Sequence, residues 1–157
     1  MGMVFDPIAG IAAERDATQD FIHLLQREQG ILQESDVSEL LALSREKGNQ
    51  AQRLVELAGE RNRWIESLGC SRDQAGMERA LEGYPAAAEA WRDLLQLAQT
   101  AGELNKINGI LVNQRLRYNT QALAALQGPV QSAGLAGLYG ADGQPRLFKG
   151  GRRLGEV

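Results

Sequence analysis

Side chains that carry chemistry are scarce in this chain. His23 is the only histidine. Multi-histidine metal sites are therefore excluded, and the imidazole has no partner set for nucleophilic catalysis. Cys70 is the only cysteine; one thiol forms no intramolecular disulfide and no zinc site. Carboxylates are plentiful but scattered beside Arg and Lys, and a pair such as Glu56 and Glu60 reads as a solvated helix face rather than as an acid–base pair. The glycine-rich C-terminal stretch has neither a phosphate loop ending in Gly-Lys-Ser/Thr nor a dinucleotide fingerprint after a strand. These residues point away from an enzyme and imply no cofactor and no metal.

The stretch with the most specific spacing is LNKINGIL, residues 104–111. Leu104, Ile107 and Leu111 fall at i, i+3 and i+7 and so share one helix face. Asn105 and Asn108 flank that face, and Gly109 stands where a helix must continue. Glycine costs about 1 kcal/mol relative to alanine inside a helix, and asparagine somewhat less. Accepting these residues amid Leu, Ala and Gln suggests close approach or a fixed register. Helix-forming residues resume at once from Ile110 to Leu126.

The elements that position these residues are helical. The chain has 157 residues with 43% hydrophobic, 24% charged and only 5% aromatic side chains. Few aromatic and β-branched residues argue for helices packed through Leu and Ala rather than for a sheet. No apolar run approaches the roughly 18 residues of a membrane span. The N-terminal MGMVFDPIAG lacks the basic and long apolar regions of a secretory signal, so a cytoplasmic protein is expected.

Asp6 and Pro7 suit the start of a first helix, over about 7–32, with Ile8, Ile11, Ala12, Thr18, Ile22 and Leu25 at steps of mostly three and four. Ser35-Asp36 breaks it, and either residue is suited to cap a second helix over about 37–68. Lys47 and Arg61 interrupt that helix's apolar stripe, where long stems can lie on apolar surface with the charge in water. Gly69 fits its C-terminal cap. Residues 71–82 read as a short helical connector capped by Ser71, with Met77 and Leu81 facing inward. Gly83-Tyr84-Pro85 then breaks the chain. The longest helix spans about 86–126, its inner face formed by Trp91, Leu94, Ala98, Ala101, Leu104, Asn108, Leu111, Tyr118, Ala122 and Leu126. Three long amphipathic segments with short connectors predict an all-α fold: an elongated antiparallel three-helix bundle with a flexible C-terminal tail.

The expected division is a helical domain over 1–126 and a tail over 127–157. Eight of the 18 glycines lie between Gly128 and Gly155. Such a segment is poorly able to offset its ordering entropy by burial, yet it keeps Val130, Leu135, Leu138, Tyr139, Leu147 and Phe148. Charge divides in the same way. Residues 1–126 carry 13 basic and 18 acidic side chains, and residues 127–157 carry 4 and 2. The acidic body argues against nucleic acid as the main partner. Apolar side chains on a flexible tail suggest a segment that folds on a partner protein.

In order and spacing the chain resembles the FlgN-type flagellar type III export chaperones, over most of residues 20–143. The resemblance is carried first by Glu28, Leu32, Asp36, Leu40, Leu43, Lys47, Leu54, Leu57, Arg61, Leu68 and Gly69. It continues in the Asn-x-x-Asn-Gly of Asn105, Asn108 and Gly109, and in Tyr139-Gly140-x-x-Gly143. It implies a helical cytoplasmic chaperone that holds hook–filament junction proteins before export and delivers them to the membrane export gate. In that family the C-terminal region binds the helical C-terminal segment of the client, and a tyrosine there is linked to docking on the gate. Tyr139 is the matching tyrosine. The expected client strip comprises Tyr118, Leu126, Val130, Leu135 and Leu138. The resemblance assigns no role to the Gly/Arg-rich residues after Phe148.

Two other classes fit parts of the pattern. A structural coiled-coil scaffold would show uninterrupted heptads, which Asn108 and Arg115 spoil. A nucleic-acid binder would use Arg146, Lys149, Arg152 and Arg153, against the acidity of the body.

Overall fold

The structure is a computed structural model, and it describes residues 3–127. Those residues are all-helical: α1 is Pro7–Leu32, α2 Leu40–Ser67, α3 Gln74–Ala80 and α4 Pro85–Gln127. The chain divides into two compact units, residues 1–105 and 106–157, and α4 runs through both.

In the first unit, α1 starts as its sequence predicts. The Asp6 carboxylate accepts from the Ile8 and Ala9 amides, and Pro7 occupies the first turn, where no amide donor is needed. Its buried stripe runs Ile11, Glu14, Thr18, Ile22 and Leu25, at steps of three and four. The start of α2 differs from expectation. Neither Ser35 nor Asp36 caps it; Asp36 instead accepts the Ser38 amide at 2.9 Å, and α2 begins only at Leu40, with no side-chain cap. A carboxylate two residues before an amide closes a local turn as readily as it caps a helix.

The other end of α2 matches its sequence signal. Gly69 has φ +73°, the Gly69 amide donates to Glu66 and the Cys70 amide to Ile65. That pair of bonds is a Schellman closure, and the left-handed residue it needs is a glycine. The connector's cap is Asp73, which accepts the Gly76 amide at 2.8 Å. The expected cap, Ser71, donates its hydroxyl to Asp73 instead, at 2.6 Å. A carboxylate held by both a hydroxyl and an amide is the stronger cap of the two.

Two apolar clusters stabilise this unit. One joins Ile11, Ile65, Met77, Leu81, Ala87 and Leu94, with Phe5, Trp64 and Trp91 packed against it. The other joins Ile22, Leu25 and Ala101, with Phe21, Leu97 and Leu104. Polar groups cross from α1 to α2. Residue 14 faces 61 and residue 28 faces 47, through the ion pairs Glu14–Arg61 at 2.8 Å and Glu28–Lys47 at 3.0 Å.

In the second unit the described residues are the helical run 106–127. α4 passes Gly109 without a break. Asn108 is buried, and Leu111, Val112 and Leu116 are half-buried. The expected inner face does not hold along the whole helix. Ala98, Tyr118, Ala122 and Leu126 are exposed. The described residues of the second unit hold no helix besides this run of α4, so no second described helix of that unit lies over Tyr118, Ala122 and Leu126.

Candidate partner-binding surface

Each unit carries a candidate surface of its own. In the first unit, Leu54, Val55 and Ala58 of α2 and Trp91, Leu94 and Leu95 of α4 line a groove of about 450 Å³. Glu14 and Arg61 lie along it. The Arg61 guanidinium is engaged by the Glu14 carboxylate through two bonds, and its carbon sits 4.7 Å from the centre of the Trp91 ring. Stacked and paired in this way, it adds no unbalanced charge to the groove. The Trp91 indole nitrogen is buried with no hydrogen-bond partner among the described residues. Asn105, from the Asn-x-x-Asn-Gly sequence, lies at the edge of this groove.

In the second unit, α4 presents apolar side chains to solvent. Ile107 is 43% exposed, Ile110 51%, Tyr118 71% and Leu126 83%. Isolated exposed apolar residues are ordinary, but a run of them on one helix marks a surface for another protein. Tyr118 and Leu126, both expected in the client strip, are thus exposed to solvent. They are eight residues apart, which places them about 12 Å apart along the axis and about 80° apart around it. The structure thus puts them on adjoining faces rather than in one line. Val130, Leu135, Leu138 and Tyr139 lie outside the described residues. Of the remaining motif positions, Asn108 is buried, and a Cβ added at Gly109 would meet nothing within 4 Å. Gly109 therefore makes no close approach among the described residues.

The electrostatics differ sharply between the two stretches. Residues 1–105 carry 10 basic and 18 acidic side chains, and residues 106–127 carry three basic and no acidic ones. Among the described residues two carboxyls lie below the usual carboxylate range, both through turn hydrogen bonds. Asp36 is lowered by Ser38, and Asp73 by the Ser71 hydroxyl and then the Gly76 amide. Neither lies on α4. Among the described residues no group of three or more His, Cys, Asp or Glu is placed to hold a metal ion. None of the described helices is long and apolar enough to cross a membrane.

Sequence reasoning missed the Glu14–Arg61–Trp91 cluster and the exposed pair Ile107 and Ile110. The first had a signal: Glu14 falls in register with Ile11 and Thr18 on an otherwise apolar stripe, as Arg61 does with Ala58 and Ile65. An acid and a base at buried registers of two helices predict each other. The second had none, since Ile107 shares the i, i+3, i+7 pattern of covered residues.

The profile of the FlgN family, described as "FlgN protein", matches residues 1–146. This chain belongs to the FlgN family. Curated FlgN relatives agree with it. The flagella synthesis protein FlgN of Proteus mirabilis is 35% identical over 82 residues, 52% of this chain and 53% of that protein. The flagella synthesis protein FlgN of Yersinia enterocolitica is 41% identical over 62 residues, 40% of each chain. The aligned segments thus span about half or less of the length of these FlgN relatives. No solved structure matches the chain significantly.

Proposed function

We propose that this chain is a cytoplasmic flagellar export chaperone. It binds hook–filament junction proteins through their C-terminal segments, keeps them unassembled and delivers them to the type III export gate. The observation that carries this reading is the FlgN-family match over residues 1–146, and the relatives named for flagella synthesis support it. Holding and releasing a client needs no nucleotide, metal or catalytic group, which fits the sparse chemistry of the chain. The client strip is Tyr118, Leu126, Val130, Leu135 and Leu138, and Tyr139 docks the loaded chaperone on the gate. Asn105, Asn108 and Gly109 are structural. The chain divides at residue 126 into a helical body, which supplies Tyr118 and Leu126, and a tail, which supplies the rest of the strip. The pairing of 14 with 61 and 28 with 47 supports an antiparallel arrangement of the long helices in a three-helix bundle.

The physics of the client fits this surface. A segment that packs only in the assembled filament exposes an apolar stripe beforehand, and a chaperone must cover it. Burial contributes about 25 cal/mol per Å² of apolar area, less the cost of ordering both partners. The test is a titration with the purified C-terminal segment of a hook–filament junction protein, using the full chain and a version ending at Gln127. Binding lost on truncation supports the function and the tail as its site. Binding kept on truncation supports the function and moves the site to the helices. Failure of both overturns the reading and leaves a client-free helical scaffold.

A further inference from the structure

We infer that the second half of α4 is a docking surface for an acidic amphipathic helix, held by an apolar stripe with a basic border. The inference deepens the chaperone reading, and rests on it only in taking the client as the bearer of that helix. The stripe runs Ile107, Ile110, Tyr118, Ala122 and Ala125, with Gln114 and Gln121 on the same face, all of them exposed. Steps of three and four keep these residues within about 120° of one another, over about 27 Å of helix. That length matches a partner helix of about 18 residues.

Lys106 and Arg117 are both exposed. They project about 20° apart around the helix axis and border the same side of the stripe. This half of α4 has no acidic side chain of its own: between Glu103 and Asp142 the sequence contains no Asp or Glu. Two cations on one border, with no Asp or Glu among residues 106–127, select a partner with carboxylates beside its apolar face.

The same charges argue against two other occupants. A second copy docked symmetrically through this face would bring the Lys106 and Arg117 borders of both copies together, with no acid from residues 106–127 on either side. An anionic membrane is read by clusters of four to eight Lys or Arg and by large interfacial side chains. This face has two cations on its border, one aromatic residue, and alanine at two of its five apolar positions.

The test uses the full-length chain and three synthetic 18-residue helical peptides. One has a leucine stripe with glutamate flanks, one the same stripe with lysine flanks, and one glutamate flanks with serine in place of leucine. The glutamate–leucine peptide is expected to bind at least tenfold more tightly than either control and to weaken as salt rises from 50 to 300 mM, as surface charge pairs do. Lys106→Glu with Arg117→Glu should weaken it about tenfold and favour the lysine-flanked peptide, and Ile110→Asp should weaken both. These positions are exposed, so circular dichroism of the variants should match the parent.

Equal binding of the glutamate and lysine peptides overturns the inference. So does preferential partition onto phosphatidylglycerol vesicles, or a dimer in solution that Ile110→Asp dissolves. The junction-protein segment, titrated against the same variants, separates the two readings. If it binds parent and Lys106→Glu/Arg117→Glu alike, the chaperone reading stands and this inference falls. If it binds neither while the glutamate–leucine peptide binds as expected, the surface stands and the chaperone reading falls.

Discussion

The guanidinium of Arg61 in α2 meets both carboxylate oxygens of Glu14 in α1, Nε to Oε2 at 2.8 Å and Nη2 to Oε1 at 3.0 Å. Both side chains are largely buried, and Arg61 also stacks on Trp91. Removing one partner leaves the other charged and poorly solvated, which costs about 3 kcal/mol or more. Glu14→Ala should therefore destabilise the protein by about that amount. Replacing both by methionine should restore most of it, since a buried pair adds little over well-packed apolar side chains. Urea unfolding of the two variants checks this; a double variant as unstable as Glu14→Ala would show that the pair itself accounts for the loss.

The second crossing pair should respond differently. Lys47 donates to both oxygens of Glu28, at 3.0 and 3.2 Å, but its side chain is more open to water than that of Arg61. A partly solvated pair contributes about 1 kcal/mol or less and is screened by salt. Glu28→Gln should cost about that much in 20 mM salt and little in 0.5 M. A loss unchanged by salt would place the pair in a drier environment than its exposure indicates.

These two pairs also show how far the sequence could be read. Spacing located the helices to within a few residues, because a period near 3.6 survives interruptions such as Lys47 and Arg61. It could not say that the interruptions were answered on α1, since that depends on which helix lies opposite. Caps were legible where one residue was suited, as at Asp6 and Gly69. They were misread where two competed, as at Ser71 and Asp73, because a carboxylate outcompetes a hydroxyl for the free amide. On the candidate surface, Tyr118 and Leu126 were chosen as apolar and placed on the inner face, whereas the structure exposes both.

The Asp73 cap makes a prediction in pH. The Ser71 hydroxyl first, and the Gly76 amide second, hold its carboxyl below the usual carboxylate range. A value lowered by folding contributes stability that is fully present above the ordinary carboxylate value and is lost as pH falls through the lowered one. Carbon NMR of the Asp73 carboxyl should titrate below that of an unfolded peptide of the same sequence, and Ser71→Ala should raise its midpoint. A midpoint at the unfolded value would mean that the cap is open in solution.

Leu135 and Leu138 carry the proposed client contact. Replacing both by aspartate should abolish binding of the junction-protein segment, because each buried leucine contributes about 2 kcal/mol or more. The helicity of α1–α4 should stay as in the parent chain. Calorimetry against circular dichroism separates the two effects. Unchanged client affinity would remove both leucines from the site.

Gly109 offers a prediction of opposite sign. The spacing of LNKINGIL suggests that a glycine is kept there for close approach, yet a Cβ at Gly109 would meet nothing within 4 Å, and α4 continues to Gln127. With that space open, alanine should only reduce the entropy of the unfolded chain and improve helix propensity, which stabilises by about 1 kcal/mol. The contrast is Gly76, where a Cβ would run into the Ser71 carbonyl oxygen and the serine's own side chain, so that Gly76→Ala must displace backbone and should destabilise. Thermal melts of the two variants should shift in opposite directions. If Gly109→Ala melts below the parent, something closes on that position in solution. If it melts above the parent but binds client more weakly, the glycine serves the approach of the client rather than the fold.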